Sequence, residues 1–226
     1  MVPSDEELRA KVRRVASALE RRFGAPETRR RALDLIDSFV LTMLSQHTSD
    51  VNAERAFDVL KSRFPEWEDV ADAPPGAIAD AIRSAGLANQ KGVRIRDFVR
   101  WVKSTFGGYD ASAIRGMATE EVVRLLTSVK GIGIKTVSVV LLFSLGRDVF
   151  PVDTHVHRIC RRVGLVPDRA TAEQTHHLMA PLIPKGKCMS LHVNFLRLGR
   201  TVCHARGPRC PECPLRRVCD HAAALG

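Results

Sequence analysis

The stretch that decides the fold is Val129-Lys130-Gly131-Ile132-Gly133-Ile134-Lys135-Thr136. Gly131 and Gly133 enclose one apolar residue between two segments of helical periodicity, which predicts a tight hairpin between two helices. Ile132 is expected to enter the core, while the amides at the start of the second helix face outward, an arrangement that binds phosphate. A Gly-x-Gly turn on its own is also compatible with a plain helix connector.

On both sides of the hairpin the sequence predicts helices almost everywhere. No alternating strand pattern of any length is present, and the connections are short. We therefore expect an all-α fold with about ten helices and no internal repeat. The first predicted helix begins at a capping box formed by Ser4 and Glu7 and ends near Gly24. The other predicted helices cover residues 31–44, 53–64 with Asp50 as a cap, a short segment after Pro74-Pro75, 91–106, 119–129, 135–145, 154–163, 170–182 and 190–202.

The charge of the chain indicates a polyanionic partner. The 226 residues include 35 Lys and Arg against 25 Asp and Glu, a formal net charge of +10, which favours nucleic acid before a membrane surface. Aromatic residues make up 5% of the chain, which argues against a stacking platform for single strands. No apolar run is long enough to span a membrane, and residues 1–7 lack the apolar core of a signal peptide. We expect the protein to be cytoplasmic and to associate with the nucleoid because it binds DNA.

Near the C-terminal end of the sequence, four cysteines follow the spacing Cys-x6-Cys-x2-Cys-x5-Cys. Thiolates this close in sequence can hold one metal centre, either a 4Fe–4S cluster or a structural zinc ion. Zinc ribbons usually supply two Cys-x2-Cys pairs and this segment has one, so the spacing favours the cluster. A disulfide pair is a third alternative, which the absence of an export signal disfavours. The four cysteines are Cys203, Cys210, Cys213 and Cys219.

Arginines lie between these cysteines: Arg206 and Arg209 in the first loop, Arg216 and Arg217 in the last. A metal centre that fixes such a loop would present the arginines to a nucleic-acid backbone. The alternative is charge balance, because four thiolates around a 2+ core carry a net charge of about −2.

A third motif, Phe150-Pro151-Val152-Asp153-Thr154-His155-Val156, follows the hairpin. Together, the hairpin, this motif and the cysteine pattern resemble endonuclease III, the iron–sulfur branch of the helix-hairpin-helix DNA glycosylases. The likeness extends from about residue 44 to Cys219. The resemblance implies that Lys135 and Asp153 are catalytic, that the four cysteines bind a 4Fe–4S cluster, and that Gly131 and Gly133 contact DNA. It also implies a six-helix barrel at 29–147, a cluster domain from 1–28 and 148–226, and duplex DNA in the groove between them.

The chemistry of Lys135 and Asp153 follows from their side chains. A neutral lysine amine can displace a base from C1′ and form a Schiff base, which permits strand cleavage by β-elimination. An aspartate can stabilise the cationic sugar and transfer protons. The alternatives are a surface cation for Lys135 and a helix N-cap for Asp153, and a cap is compatible with catalysis.

Removing a base from a duplex requires that something fill the gap left by the flipped nucleotide. In the family, a glutamine in a Ser-Ala-Gln-Ala-Thr-Asp-like stretch and a leucine in a Gly-Leu-Tyr-Asn-like stretch do this. Here the matching stretches are Ser45-Gln46-His47-Thr48-Ser49-Asp50 and Gly86-Leu87-Ala88-Asn89. Aligned without a gap, the glutamine position falls on His47, with Gln46 one residue earlier, so either His47 or Gln46 is expected to fill the gap. Leu87 is the predicted wedge. Lys91 is predicted to contact a phosphate.

The leading hypothesis is a monomeric, bifunctional DNA glycosylase and abasic-site lyase that removes oxidised or ring-damaged pyrimidines from duplex DNA. The first alternative is a related glycosylase for pyrimidine dimers or mismatched bases, because the sequence does not define the base pocket. The second is a non-catalytic iron–sulfur module that binds duplex DNA. Cys160 and Cys188 are interpreted as ordinary thiols.

Overall fold

The computed structural model describes residues 4–26 and 34–225. These residues form twelve α-helices and five short 3₁₀ helices, with no β-strand among them, which confirms the predicted all-α class. None of the described helices is both long and apolar enough to cross a membrane. The α-helices are α1 (Asp5–Phe23), α2 (Leu35–Leu44), α3 (Asp50–Arg63), α4 (Trp67–Asp72), α5 (Pro75–Ala81), α6 (Ala88–Phe106), α7 (Thr119–Thr127), α8 (Ile134–Phe143), α9 (Thr154–Val163), α10 (Ala172–Met179), α11 (Cys188–Thr201) and α12 (Asp220–Ala223). The 3₁₀ helices are Arg83–Ala85, Ser112–Gly116, Ala180–Leu182, Cys210–Glu212 and Arg216–Val218.

The described residues divide into two compact units. One unit contains residues 4–26 and 146–225, and the other contains residues 34–145. The predicted domain boundary at residues 28 and 29 lies outside the described residues, as does the predicted start of a helix at residue 31. The assignment of a barrel and a cluster domain to these units stays a prediction.

Side-chain caps fix the starts of several helices. Ser4 and Glu7 form the predicted capping box of α1, in which each side chain bonds the other residue's backbone amide. At α3 the prediction is wrong by one residue, because Ser49 accepts the bond from the Asn52 amide and Asp50 is the first helical residue. An aspartate in the first turn is still favourable, since it faces the positive end of the helix dipole.

One predicted helix, residues 170–182, is shorter in the structure. The α-helix α10 ends at Met179, and the chain continues as the 3₁₀ turn Ala180–Leu182. Pro181 lies in that turn and has no N–H to donate, so it cannot continue the α-helical ladder.

In the unit of residues 34–145, α5 and α6 pack at close range through Gly92. A Cβ atom at this position would lie 3.0 Å from the backbone oxygen of Pro75 and 3.1 Å from the backbone nitrogen of Ala79. Backbone atoms cannot move away as a flexible side chain can. The glycine therefore sets the spacing of the two helices.

We expect Gly92→Ala to destabilise the protein by about 1–2 kcal/mol, since overpacking outweighs the gain in helix propensity. The matched control is Gly76→Ala in α5, because a Cβ atom there meets nothing within 4 Å. That exchange should stabilise the protein by about 0.5 kcal/mol. Urea unfolding midpoints measure both effects, and shifts of the same sign for the two variants would contradict this account of Gly92.

In the other unit, α1 packs on α11, and α11 packs on α9. Val12, Val15 and Leu19 form the buried face of α1, and Phe195 is fully buried on α11. Polar contacts hold the C-terminal end of α1 as well. The side-chain amide of Asn194 donates to the backbone oxygen of Gly24 at 3.0 Å.

Candidate active site and metal centre

The hairpin connects α7 to α8 in the predicted manner. Gly131 is exposed and has a φ of 88°, a left-handed conformation that favours glycine. Ile132 is only 5% exposed, so its side chain enters the core as expected, and its amide donates to the Val129 carbonyl at 3.0 Å. The hairpin is therefore a fixed turn with one apolar anchor.

Lys135 is the second residue of α8 and is half-buried. The first i→i−4 bond at this end of the helix runs from the Val137 amide to the Gly133 carbonyl. The amides of Ile134 and Lys135 precede that bond, so they lack a partner within the helix and favour an anion. Among residues 4–26 and 34–225, no acidic side chain forms an ion pair with the Lys135 ammonium.

The structure adds one cation to the hairpin that the sequence did not predict. A Cβ atom on Gly131 would lie 3.3 Å from Cδ of Arg94, an exposed residue of α6. Arg94 thus lies against the outer side of the turn. Only the packing of α6 beside the hairpin reveals this, because no sequence motif connects residues 94 and 131.

Asp153 is the N-cap of α9, as the alternative interpretation held. Its Oδ1 atom accepts a hydrogen bond from the Val156 amide at 2.8 Å, and the residue is half-buried. This bond fixes the carboxylate while the second oxygen stays available for other partners. The N-cap role is therefore compatible with the catalytic role.

Two buried histidines hold the segment that leads to Asp153. His176 donates from Nδ1 to the Phe150 carbonyl, and His192 donates from Nδ1 to the Pro151 carbonyl, both at 2.9 Å. Burial lowers the pKa of His176. Both histidines therefore have a structural role.

His47 and Leu87, two of the three candidate gap fillers, share an unusual backbone conformation. Their φ angles are 56° and 50°, and they are the only non-glycine residues of the described chain with positive φ. His47 is exposed, and Leu87 is 52% exposed at the start of α6. Leu87 is therefore not a buried helix-end residue. Such conformations cluster at functional sites.

Gln46 lies beside α8 in the same unit. Its side-chain Nε2 donates to Oγ1 of Thr136 at 3.1 Å, and the residue is half-buried. Thr136 directly follows Lys135 in sequence. Gln46 thus contacts the helix that carries the candidate nucleophile, while His47 projects into solvent.

The structure corrects the prediction for Lys91, which was a phosphate contact. The residue is 3% exposed, and its Nζ donates to the carbonyls of Leu44, Gln46 and Ala85 at 2.7, 2.6 and 2.8 Å. Burial lowers the pKa of this lysine. All three donors of the ammonium are used inside the protein, so Lys91 has none left for DNA.

The four C-terminal cysteines are half-buried free thiols that follow α11. Burial raises the pKa of Cys213 to about 11, and the charges of the three other cysteines act in the same direction. A hydrogen bond from the Leu215 amide to the sulfur lowers the pKa of Cys213 and so opposes this rise. Burial also raises the pKa of Cys219, against hydrogen bonds from the amides of Ala222 and His221. The four sulfur atoms therefore lie within electrostatic reach of one another.

The donor set of this loop fits a thiolate-bound centre. Backbone amides aim at two of the sulfurs, and Nη1 of Arg162 donates to Sγ of Cys203 at 3.3 Å. Such donors stabilise negative sulfur. No group of three or more His, Cys, Asp or Glu side chains in the described part of the chain is arranged to hold a metal ion as it stands. The bonds donated to sulfur suit thiolates, whereas Sγ of Cys219 also donates to the Arg162 carbonyl at 3.2 Å, as a free thiol does.

Arg206 and Arg209 are exposed in the loop between the first two cysteines. Two arginines of α9, which no sequence motif marks, attach this loop to the rest of its unit. Arg158 donates to the Cys203 carbonyl at 2.8 Å, and Arg162 donates to the His204 carbonyl at 2.7 Å.

The hairpin and Asp153 both lie within residues 40–185, which match the model of the HhH-GPD superfamily of base excision DNA repair proteins. The matched region is more than half of the chain. The chain belongs to the HhH-GPD superfamily. The predicted relationship to the helix-hairpin-helix DNA glycosylases is thereby confirmed.

Individual HhH-GPD relatives agree with this assignment. An Arabidopsis thaliana protein that is provisionally named a DNA glycosylase is 41% identical to this chain over 150 residues. The matched residues cover 66% of this chain and 51% of that protein. The chain thus spans about half of that protein's length. Endonuclease III of Thermotoga maritima is 32% identical over 181 residues, 80% of each protein.

A solved structure of a trapped endonuclease III–DNA covalent intermediate has the same fold. It matches with a TM-score of 0.82 over 96% of this chain and 98% of that chain, at 22% identity. The predicted helix-hairpin-helix glycosylase fold is therefore confirmed. The roles predicted for individual residues stay predictions.

Proposed function

We propose that this HhH-GPD protein is a bifunctional DNA glycosylase and abasic-site lyase that acts on oxidised or ring-damaged pyrimidines in duplex DNA. The observation that carries the proposal is the position of Lys135, a half-buried amine at the start of α8 directly after the hairpin. The unpaired amides of this helix start suit a DNA phosphate. The amine beside them suits attack on the sugar.

In the proposed reaction, neutral Lys135 attacks C1′ of the damaged nucleotide, and the base leaves with the glycosidic bond electrons. Loss of a proton from nitrogen and opening of the sugar ring give a Schiff base. A proton is then lost from C2′ while the 3′ C–O bond breaks and the 3′ phosphate leaves with its electrons, and water hydrolyses the Schiff base to free the Lys135 amine. Asp153 stabilises the positive charge that develops on the sugar and transfers protons.

We also propose that Cys203, Cys210, Cys213 and Cys219 hold a 4Fe–4S cluster. When bound, the cluster supplies a rigid cross-link within the loop. The chain's own contribution is the sulfur hydrogen bonds and the exposed Arg206 and Arg209, which contact phosphates. The unit of residues 34–145 would then be the barrel domain, the other unit the cluster domain, and the protein a monomer bound to duplex DNA.

Borohydride trapping tests the proposed function. Wild-type protein is incubated with a duplex that carries one thymine glycol, and with a second duplex that carries a plain abasic site. We expect a covalent complex on both duplexes. A complex on the abasic site alone would support the lyase activity and would mean that the glycosylase acts on a base other than thymine glycol. No complex on either duplex would support the non-catalytic DNA-binding module.

We expect Cys210→Ser to remove an absorption band at about 400 nm. The iron content should fall from about four atoms per chain to nearly none. The matched control is Cys160→Ala, because Cys160 is a buried thiol of α9 outside the loop. That variant should keep the band. A wild-type protein with about one zinc ion per chain and no such band would assign the site to zinc instead.

A further inference from the structure

The buried ammonium of Lys91 connects two separate segments of the chain. Leu44 is the last residue of α2, and Ala85 is the last residue of the 3₁₀ helix Arg83–Ala85. Carbonyls at helix ends lack a partner within the helix and carry partial negative charge. The ammonium satisfies both of these carbonyls, and that of Gln46 as well, at 2.6–2.8 Å.

Each of these segments leads directly into a residue of left-handed conformation. His47 follows Gln46, and Leu87 lies two residues after Ala85. A non-glycine residue keeps a positive φ only where the surrounding contacts hold it there. Both turns share one buried lysine: its ammonium bonds the carbonyls of Gln46 and Ala85, and its backbone amide bonds the Leu87 carbonyl at 3.0 Å.

The side chains of His47 and Leu87 are exposed, whereas the Lys91 side chain is buried. A leucine that is 52% exposed gains less from burial than a leucine in the core. His47 and Leu87 thus form a preorganised pair, because the same buried ammonium bonds the turns that hold both exposed side chains. Preorganisation lowers the entropy lost when such groups enter a partner.

We propose that Lys91 is a positioning residue that locks the turns of His47 and Leu87, so that both side chains are set to enter the base stack together. This inference rests on the proposed function, because the pair matters only if the protein opens a DNA duplex. The role differs from direct phosphate contact, since the ammonium is enclosed.

The test compares wild type with Lys91→Met, which keeps the length of the side chain and removes its donors. Each protein acts under single-turnover conditions on one lesion in a paired duplex, and on the same lesion inside an unpaired bubble. We expect the rate on the paired duplex to fall roughly 10- to 100-fold. The rate on the bubble should change by less than about threefold, because no stacked gap needs to be filled.

Two further variants separate positioning from a general loss of structure. Lys103→Met on the same helix removes a surface lysine that pairs with Glu68 at 3.0 Å, and it should leave both rates unchanged. Adding Lys91→Met to Leu87→Ala should slow the paired duplex by a smaller factor than Lys91→Met does in the wild type, because part of the effect of Lys91 acts through Leu87. If Lys91→Met does not fold, Lys91→Gln, which keeps two N–H donors, replaces it in the same comparison.

Equal losses on the paired and bubble substrates, or no loss on either, would overturn the proposal. A wild-type protein that is not trapped on any DNA would contradict the proposed function instead. In that case the role of Lys91 is decided by fluorescence of 2-aminopurine placed beside an abasic analogue. Wild type should raise this signal by unstacking the base, Lys91→Met should not, and an equal rise with both would overturn the positioning role.

Discussion

Replacing Lys135 with glutamine should abolish borohydride trapping and reduce strand cleavage to background, a loss on the order of 10⁴-fold or more. The glutamine amide is not a nucleophile and cannot form a Schiff base. Lysine and glutamine have similar helix propensities, so α8 should be retained. The variant is therefore expected to fold and to bind DNA while it forms no covalent complex. Gel electrophoresis after borohydride reduction measures the result.

The matched control for this variant is Lys130→Gln, which removes an exposed cation from the same hairpin. Binding should weaken modestly, with a lower salt dependence, because one fewer lysine is near the phosphates. Trapping should persist. A covalent complex formed by Lys135→Gln with wild-type yield would exclude Lys135 as the nucleophile.

Replacing Asp153 with asparagine should slow base release by roughly 10²- to 10⁴-fold. The exchange removes the negative charge that stabilises the sugar cation. It keeps a side-chain oxygen that can accept from the Val156 amide, since asparagine is as good an N-cap as aspartate. Because the cap is retained, stability should change little. Single-turnover release of a damaged base, measured beside urea unfolding, separates the two effects.

A serine at position 153 provides the control, because it also caps a helix but carries no charge. Asp153→Ser should be as slow as Asp153→Asn and nearly as stable as wild type. Asp153→Ala should in addition lose about 1 kcal/mol of stability with the cap. Base release at the wild-type rate by the asparagine variant would assign Asp153 to capping alone.

The sequence predicted those features that depend on local spacing. Helical periodicity on both sides of Gly131 and Gly133 gave the hairpin, and the buried side chain of Ile132 followed from the apolar residue between the glycines. Asp153 was recognised both as a cap and as a candidate catalytic group. A cap needs only the residues that follow it in the chain.

The sequence could not predict contacts between residues that are distant along the chain. Lys91 resembles any surface lysine, and its acceptor at Leu44 lies 47 residues away. The contact between Arg94 and the hairpin likewise depends on helix packing. Helix ends were also less certain than helix existence, as Ser49 and Pro181 show, because several nearby residues can cap or stop a helix.

The unit that contains α1 is interrupted in sequence by the whole of residues 34–145. During synthesis, the apolar face of α1, formed by Val12, Val15 and Leu19, has no packing partner until the turn Ala180–Leu182 and then α11 leave the ribosome. At about 5–20 residues per second this interval is roughly 10 to 40 s. The inserted unit can fold within that time, so a nascent chain would display one finished unit and one unpaired amphipathic helix. That helix is the segment on which cellular chaperones should act.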